Sequence, residues 1–536
     1  MKKRFLIVLL TCATILSGCG ATTEETQEVE SITEEEDDED EKEEESEVEE
    51  STEAAEVDLS TAIPEFALTT NYISEYVTDA DGNSDYFSPQ LLHGLSESMI
   101  LTDESKELYP ALAENFESEI KSMDEETKQQ QEELLAKSQT QRASEDNSPT
   151  YYLSRNYYLQ RVDHHYASFL VENTIYEGGA HGTTDFTGMV FDVSTGKRLE
   201  LEDVITDMKE FKYALGEQIA ETTGALARFT GEGEFDWYLD VDGISVILNA
   251  GKFLDYAAGP QVFTLPYDAP YVNQDVALEE GRGYISKLPI RFIGTPHLDS
   301  VDTWKGLTVA PTFPEDYDEE DPYIEDLNIN YNNASYQIQD LYNWAYNVYR
   351  IQTADGNLFA VVRTVGDSDW ITEYVLDLKE GSIRQTTEES FDTALYGPEN
   401  LYNILLADPD HMLLASRMDL LSTYHAFKDY HFTADGKFES DDKYFMAKAY
   451  NPLTTIADTP GTLVDEEGNE LEPATIPAGS KCVIYRTDGD KLVDFRLDDG
   501  RLIRITVEPS PDGYISEPYI QGQPATDFFE MLYFAG

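Results

Sequence analysis

Tyr176-Glu177-Gly178-Gly179-Ala180-His181-Gly182 links two apolar stretches, and its reading decides the fold of the first half of this 536-residue chain. The adjacent glycines Gly178 and Gly179 allow backbone angles with φ above zero, and Ala180 and Gly182 let chains approach closely around His181. Two readings stand. One is a tight connection between strands around a hydrogen-bonded histidine; the other is the floor of a ligand pocket, with Tyr176, Gly178, Gly179 and His181 as binding residues. Outward from this link, residues 151–159, 161–172 and 188–192 read as strands, and after a helix so do 243–249 and 261–265. Helices and strands mix without regular alternation, so an α+β arrangement fits the N-terminal half better than a doubly wound sheet.

Further upstream, Phe66, Leu68, Tyr72, Ile73 and Tyr76 mark a strand that ends in Asp79-Ala80-Asp81-Gly82-Asn83-Ser84-Asp85. Alternate Asp and Asn resemble the start of a calcium loop, but Ser84 stands where the sharp-turn glycine belongs and Gln90 where the bidentate glutamate belongs. A plain Asp-Gly turn is the simpler reading. Residues 105–143 follow as one amphipathic helix, with Leu108, Leu112, Phe116, Ile120 and Met123 three and four apart and a polar tail expected to fray. Asn147-Ser148-Pro149 ends it.

The link, together with Phe191-Asp192-Val193-Ser194-Thr195-Gly196-Lys197-Arg198-Leu199-Glu200-Leu201-Glu202-Asp203-Val204, resembles the signature of the RsiV-like extracellular domain. Trp237-Tyr238, Asp242-Gly243-Ile244, Tyr256-Ala257-Ala258-Gly259-Pro260 and Phe263-Thr264-Leu265-Pro266-Tyr267 are similar to its remaining elements in the same order. That family includes the ectodomain of the lysozyme-sensing anti-sigma factor and the N-terminal domain of PdaC-type peptidoglycan deacetylases. The resemblance covers roughly residues 60 to 290. It implies an extracellular, envelope-facing fold, and it leaves out the catalytic or signalling half of both relatives: the chain shows no sigma-binding segment and no zinc motif of the deacetylases. What it implies is binding, including of a lysozyme-like cationic partner that an acidic surface would steer.

Residues 294–451 turn to Tyr, Asp and Asn with hairpin signals. Two segments look like copies: Leu358-Phe359-Ala360-Val361-Val362-Arg363 with Tyr374-Val375-Leu376-Asp377-Leu378, and Met412-Leu413-Leu414-Ala415-Ser416-Arg417 with Tyr430-His431-Phe432-Thr433. Meander or blade-like sheet modules follow from that. Gly366-Asp367-Ser368 and Asp408-Pro409-Asp410-His411 resemble outer blocks of the Gly-Asp-Ser-Leu hydrolases, but the intervening blocks are missing and the separation is too short, which leaves hairpin turns. From Asp458 on, short strands separated by Glu467-Gly468-Asn469, Asp488-Gly489-Asp490 and Asp498-Asp499-Gly500 suit a small SH3-like β-barrel. Cys482 alternates as a core-facing residue, a buried small hydrophobe.

The start, Met1-Lys2-Lys3-Arg4 and then an apolar run to Leu16-Ser17-Gly18-Cys19, reads as a lipoprotein signal whose Cys19 carries the lipid. Residues 20–58 read as a disordered acidic tether. The expected layout is thus a signal peptide (1–19), the tether (20–58), an RsiV-like α+β region (59–292), mostly-β meander modules (293–452) and a small barrel (453–536). Acidic residues number 107 against 36 Lys and Arg, a formal charge of −71, which disfavours nucleic acid as a partner. Three cysteines, with Cys12 in the signal and Cys19 under lipid, exclude a disulfide framework. His164 and His165 stand near His181 in sequence, but consecutive strand residues face opposite sides, so no metal site and no cofactor is expected. The leading expectation is a lipid-anchored, non-catalytic binding module on the cell surface, for a wall component such as peptidoglycan or a secreted protein. The alternative is an envelope hydrolase using a carboxylate pair.

Overall fold

Two strands open the fold: β1 (Phe66–Tyr76) and β2 (Gln90–Leu101) run antiparallel from Phe66↔Leu101 to Tyr76↔Gln90. A computed structural model of the protein describes residues 62–78, 84, 88–144, 148–223, 235–250, 259–289, 302–314, 323–366, 371–379, 381–393, 395–396, 402–448, 451–511 and 517–534, all within the unit Val57–Gly536. Cys19, the tether 20–58 and nearly all of the Asp79-to-Asp85 turn lie outside them. Helices α1 (Asp103–Leu108) and α2 (Pro110–Ser144) then carry the chain across to β3 (Tyr151–Val162), which pairs parallel to β2 from Leu92↔Tyr151 to Ser96↔Arg155. Parallel neighbours need such a crossover. β4 (Tyr166–Tyr176) and β5 (Thr183–Asp192) complete an antiparallel meander.

The helix expected to be continuous from Ser105 is divided. Pro110 lacks an N–H and disfavours helical angles in the residue before it, and Tyr109 accordingly takes φ −125°, ψ 60°. The polar tail of α2 does not fray either: Leu134 is buried, and the Ser138 hydroxyl donates to the Leu91 carbonyl at 2.8 Å. Nearer its start, Phe116 meets Phe66, Phe169 and Phe191 at ring distances of 5.1, 5.5 and 5.4 Å, so α2 seals one face of the sheet.

The opposite face is covered by a second layer. It holds α3 (Leu201–Val204), α4 (Met208–Thr223) and an antiparallel sheet of β6 (Asp236–Asp240), β7 (Gly243–Leu248) and β8 (Gln261–Leu265). Phe211, Leu215 and Ile219 of α4 share a core with Tyr158, Leu170, Val190 and Trp237. Gly188 is where the layers touch, because a Cβ there would lie 1.7 Å from the Trp237 carbonyl oxygen.

In the second half, β9 (Tyr284–Lys287) precedes a four-stranded meander of β10 (Asp302–Trp304), β11 (Leu307–Thr312), β12 (Asp326–Tyr331) and β13 (Ala334–Ile338). Next come β14 (Asn343–Gln352), β15 (Leu358–Gly366), β16 (Ile371–Lys379) and β17 (Ser382–Glu389), which with β9 form a sheet in the order β17-β16-β15-β14-β9. Strands are exchanged between the halves. β9 leaves the first half to pair with β14 (Ile351↔Ile285), and Tyr402–Ile404 returns to pair with β1 (Ala67↔Ile404), so the first sheet has seven strands.

The two sequence copies form hairpins in different sheets, β15–β16 and Met412–Met418 with Tyr424–Phe432. They pack face to face: Phe359 meets Phe432 edge-on at 5.2 Å, and Val361, Val375, Met412, Leu414 and Tyr430 share the same core. The second hairpin continues through Phe445–Lys448 into the C-terminal strands Lys481–Thr487, Leu492–Leu497, Leu502–Thr506, Thr459–Val464 and Glu470–Ile476. Among the described residues no pairing leads from Glu470–Ile476 back to the start, so this ladder is open where a closed barrel was expected. The architecture is α+β in the first half and β-meander in the rest.

Candidate functional site

The expected binding residues sit on the loop from β4 to β5. Tyr176 is buried at its root and donates its hydroxyl to the Gly179 carbonyl at 3.0 Å. Gly178 has φ 76°, and a Cβ there would fall 2.6 Å from Pro149 Cγ, so this glycine answers to both backbone and space. Gly179 and His181 are exposed, with His181 Nδ1 3.3 Å from the Gly182 carbonyl oxygen. The loop is a hairpin tip pinned by a tyrosine.

His164 and His165 lie at the other end of β4, about 35 Å from His181 along an eleven-residue strand. The turn falls at 163–165 because the buried Asp163 carboxylate accepts the His165 and Tyr166 N–H groups, both at 2.8 Å, and binds Arg161 at 2.6 Å. His164 is held by Glu279 at 2.9 Å. Among the described residues no group of His, Cys, Asp or Glu has the arrangement of a metal site. Asp408 is engaged by Arg282 at 2.6 Å and His411 by Asp429 at 3.0 Å, while Asp367 and Ser368 lie outside the described residues. Cys482 is buried, its thiol pushed up to about 12 by burial.

The outer edge of the first sheet is closed along β5. The Asn249 side chain imitates a strand partner, accepting from the Phe186 N–H and donating to the Phe186 carbonyl, each at 2.8 Å. Arg198 reaches the Gly188 carbonyl at 3.3 Å, and the Leu199 N–H meets the Val190 carbonyl at 2.8 Å. An edge so satisfied is a poor template for another strand.

Buried carboxylates are committed to internal partners. Glu97 (7% exposed) accepts the Tyr157 N–H at 2.7 Å and Glu172 (2%) the Tyr158 hydroxyl at 2.6 Å. Burial raises Glu97 above the usual carboxylate range, with Lys287 pulling the other way. A pair this enclosed offers a glycan no access. A buried charge cluster joins several sheets at Asp240 (1% exposed), beside the β6–β7 turn. Arg350 of β14 donates to Asp240 at 2.8 Å and to Asp242 at 2.7 Å; Lys305, from the β10–β11 turn, binds Asp240 and donates to Ser245 at 2.8 Å. Burial would raise Asp240, but the two cations hold it below the ordinary range, whereas burial lowers Lys305. Asp494 is likewise clamped between Arg486 and Arg504, each at 2.7 Å.

The outward-facing feature lies where β11, β12 and β14 meet. Three backbone bonds stitch the junction: Glu325 N to Thr312 O (2.8 Å), Ile324 N to Asn343 O (2.6 Å) and Leu341 N to Glu325 O (2.8 Å). Around it stand Phe313 (39% exposed), Tyr342 (71%) and Trp344 (44%), and Tyr323 stacks on Tyr342 at 5.5 Å with planes 26° apart. Trp344 is the extra residue of a bulge between Asn343 and Ala345, opposite Gly366 and Val365. A bulge re-aims a side chain, and the Trp344 indole N–H is anchored to the Gly366 carbonyl at 2.9 Å. Exposed aromatic faces with polar tips suit contact with glycan or protein. Reading the sequence for motifs missed this site, whose only trace there is Tyr342-Asn343-Trp344-Ala345-Tyr346.

No family model matches this sequence, and no curated protein matches it. Its structural neighbours include DUF3298 family proteins. A member from Bacteroides fragilis is 18% identical, covers 39% of this chain and 94% of its own, and has a TM-score of 0.31. Another from Pseudomonas aeruginosa PAO1 is 14% identical, covers 41% and 99%, and has a TM-score of 0.25. Likenesses this distant carry no argument about function.

Proposed function

We propose that this chain is a non-catalytic binding module on the extracytoplasmic face of a bacterial membrane, fastened through lipid on Cys19 and raised on the acidic tether, with an RsiV-like first half. The observation that carries the binding role is the exposed aromatic junction at Tyr342 and Trp344 on a rigid strand bulge. Aromatic side chains with few rotatable bonds supply contact area at small entropic cost. The enclosed Glu97 and Glu172 give the hydrolase alternative no accessible carboxylate pair at that place. Lipid anchoring rests on the sequence of residues 1–19.

The test is retention. Full-length protein incubated with purified peptidoglycan sacculi and, separately, with an immobilised lysozyme-like cationic protein should be held by one of them, and Tyr342→Ala with Trp344→Ala should release it. Retention by neither, or retention that ignores both substitutions, defeats this reading. Labelled palmitate should enter the wild type and not Cys19→Ser; equal labelling would remove the anchor.

A further inference from the structure

The aromatic junction lies in a long stretch of the chain without cationic residues. Between Lys305 and Arg350 the sequence carries nine Asp and Glu and no Lys, Arg or His. The two cations that bound this stretch are both turned inward onto Asp240. They are spent on a buried carboxylate, so neither offsets the exposed Glu325 and Asp340. Glu325 and Asp340 are exposed beside the aromatic rings, since the Leu341 N–H bonds to the Glu325 carbonyl and Tyr342 follows directly.

Electrostatics then sorts the candidate ligands. An anionic polymer is repelled by carboxylates, and a neutral sugar gains stacking but nothing from the charges of Glu325 and Asp340. A cation gains twice, from the negative face of each ring and from the acidic surround. Elsewhere in the protein such ring faces are already filled: Arg496 lies over Tyr485 at 3.8 Å and Lys428 over Phe445 at 4.1 Å. Among the described residues no Lys or Arg stands over Tyr342 or Trp344. We propose that the junction docks a cationic polypeptide segment, with Arg or Lys side chains laid on the faces of Tyr342 and Trp344 inside the acidic field. This deepens the binding-module reading and rests on it. A planar guanidinium stacks on an aromatic face where an ammonium does not, so Arg is the preferred contact.

The test is fluorescence anisotropy of the full chain with labelled hexa-arginine and hexa-lysine at about 50 and about 300 mM salt, to separate contact from screened attraction, and with labelled chitotetraose. Hexa-arginine should bind more tightly than hexa-lysine at the higher salt. Tyr342→Ala with Trp344→Ala should weaken hexa-arginine by roughly tenfold, two exposed cation–π contacts. Tyr342→Leu, which keeps apolar area and removes the ring, should weaken it too. Tyr72→Ala and Tyr213→Ala, exposed aromatic positions elsewhere, should change nothing. Unaltered hexa-arginine binding in the double variant overturns the proposal, because the attraction then belongs to net charge alone. Chitotetraose binding that the double variant loses, with hexa-arginine unchanged, also overturns it but leaves the binding-module reading intact; that reading falls separately, in the retention experiment.

Discussion

The Asp240 cluster and the Tyr342–Trp344 junction are built on the same strands and invert the usual distribution of residues. β14 carries Trp344 near its start and Arg350 six residues on, about 20 Å away along the strand. At one end a guanidinium is buried against a carboxylate; at the other an indole is exposed. The buried charges join β6, β14 and the β10–β11 turn, three elements from separate sheets, and each is expensive to desolvate alone. The exposed rings make local contacts, Tyr323 on Tyr342 and the Trp344 indole on the Gly366 carbonyl. Interior charge therefore serves architecture, and the exterior aromatic surface is what the proposed recognition would use.

Substitutions can break or sharpen that contrast, beginning at the cluster. Asp240→Asn leaves Lys305 and Arg350 with only the exposed Asp242 as a carboxylate partner and should lower unfolding free energy by about 3 kcal/mol, measured by urea denaturation at neutral pH. Because the folded Asp240 carboxyl is held low, its contribution is complete above the ordinary carboxylate value of 3.8 and is lost as acid titrates it below that. The deficit of Asp240→Asn should shrink there. A variant as stable as wild type at pH 7 would make the cluster incidental.

Glu97 has the opposite sign. Its folded carboxyl titrates above the ordinary 4.5, so the native state prefers the proton, and ionised Glu97 costs stability once pH exceeds the raised value. Glu97→Gln keeps an acceptor for the Tyr157 N–H and removes the charge. It should melt a few degrees above wild type at pH 7.5, roughly a 1 kcal/mol gain, and the difference should close below pH 4.5. A lower melting temperature at pH 7.5 would show that ionised Glu97 stabilises through Lys287. The smallest effect on stability belongs to the junction: Tyr342→Ala, at an exposed site, should shift unfolding free energy by no more than about 0.5 kcal/mol. A large loss would make Tyr342 part of the core.

Much of the fold was legible because alternation and turn residues are local signals. Strands β3 to β5, β7 and β8 and the C-terminal hairpins stand where their apolar residues indicated, with shifts such as the turn at 163–165. That shift came from Arg161, a long cation that the alternation of apolar residues cannot place, buried against Asp163 and against the rings of Tyr267 and Tyr284. β2 and Glu470–Ile476 escaped notice because their apolar residues do not alternate. The exchange of β9 and Tyr402–Ile404 between halves was also beyond a linear reading, since pairing depends on partners more than sixty residues away.

The chain alone determined much of its strand and helix content, its acidic charge, the positive-φ glycine at 178 and the buried character of Cys482, each a property of nearest neighbours and side-chain chemistry. Only the tertiary structure decided which aromatics face outward. Tyr342, Trp344 and Tyr346 share one parity and by period should share one face, yet Tyr346 is buried and Trp344 is not. The bulge between Asn343 and Ala345 breaks the count. A bulge arises from how two strands register against each other, an energy of pairing that no single segment carries.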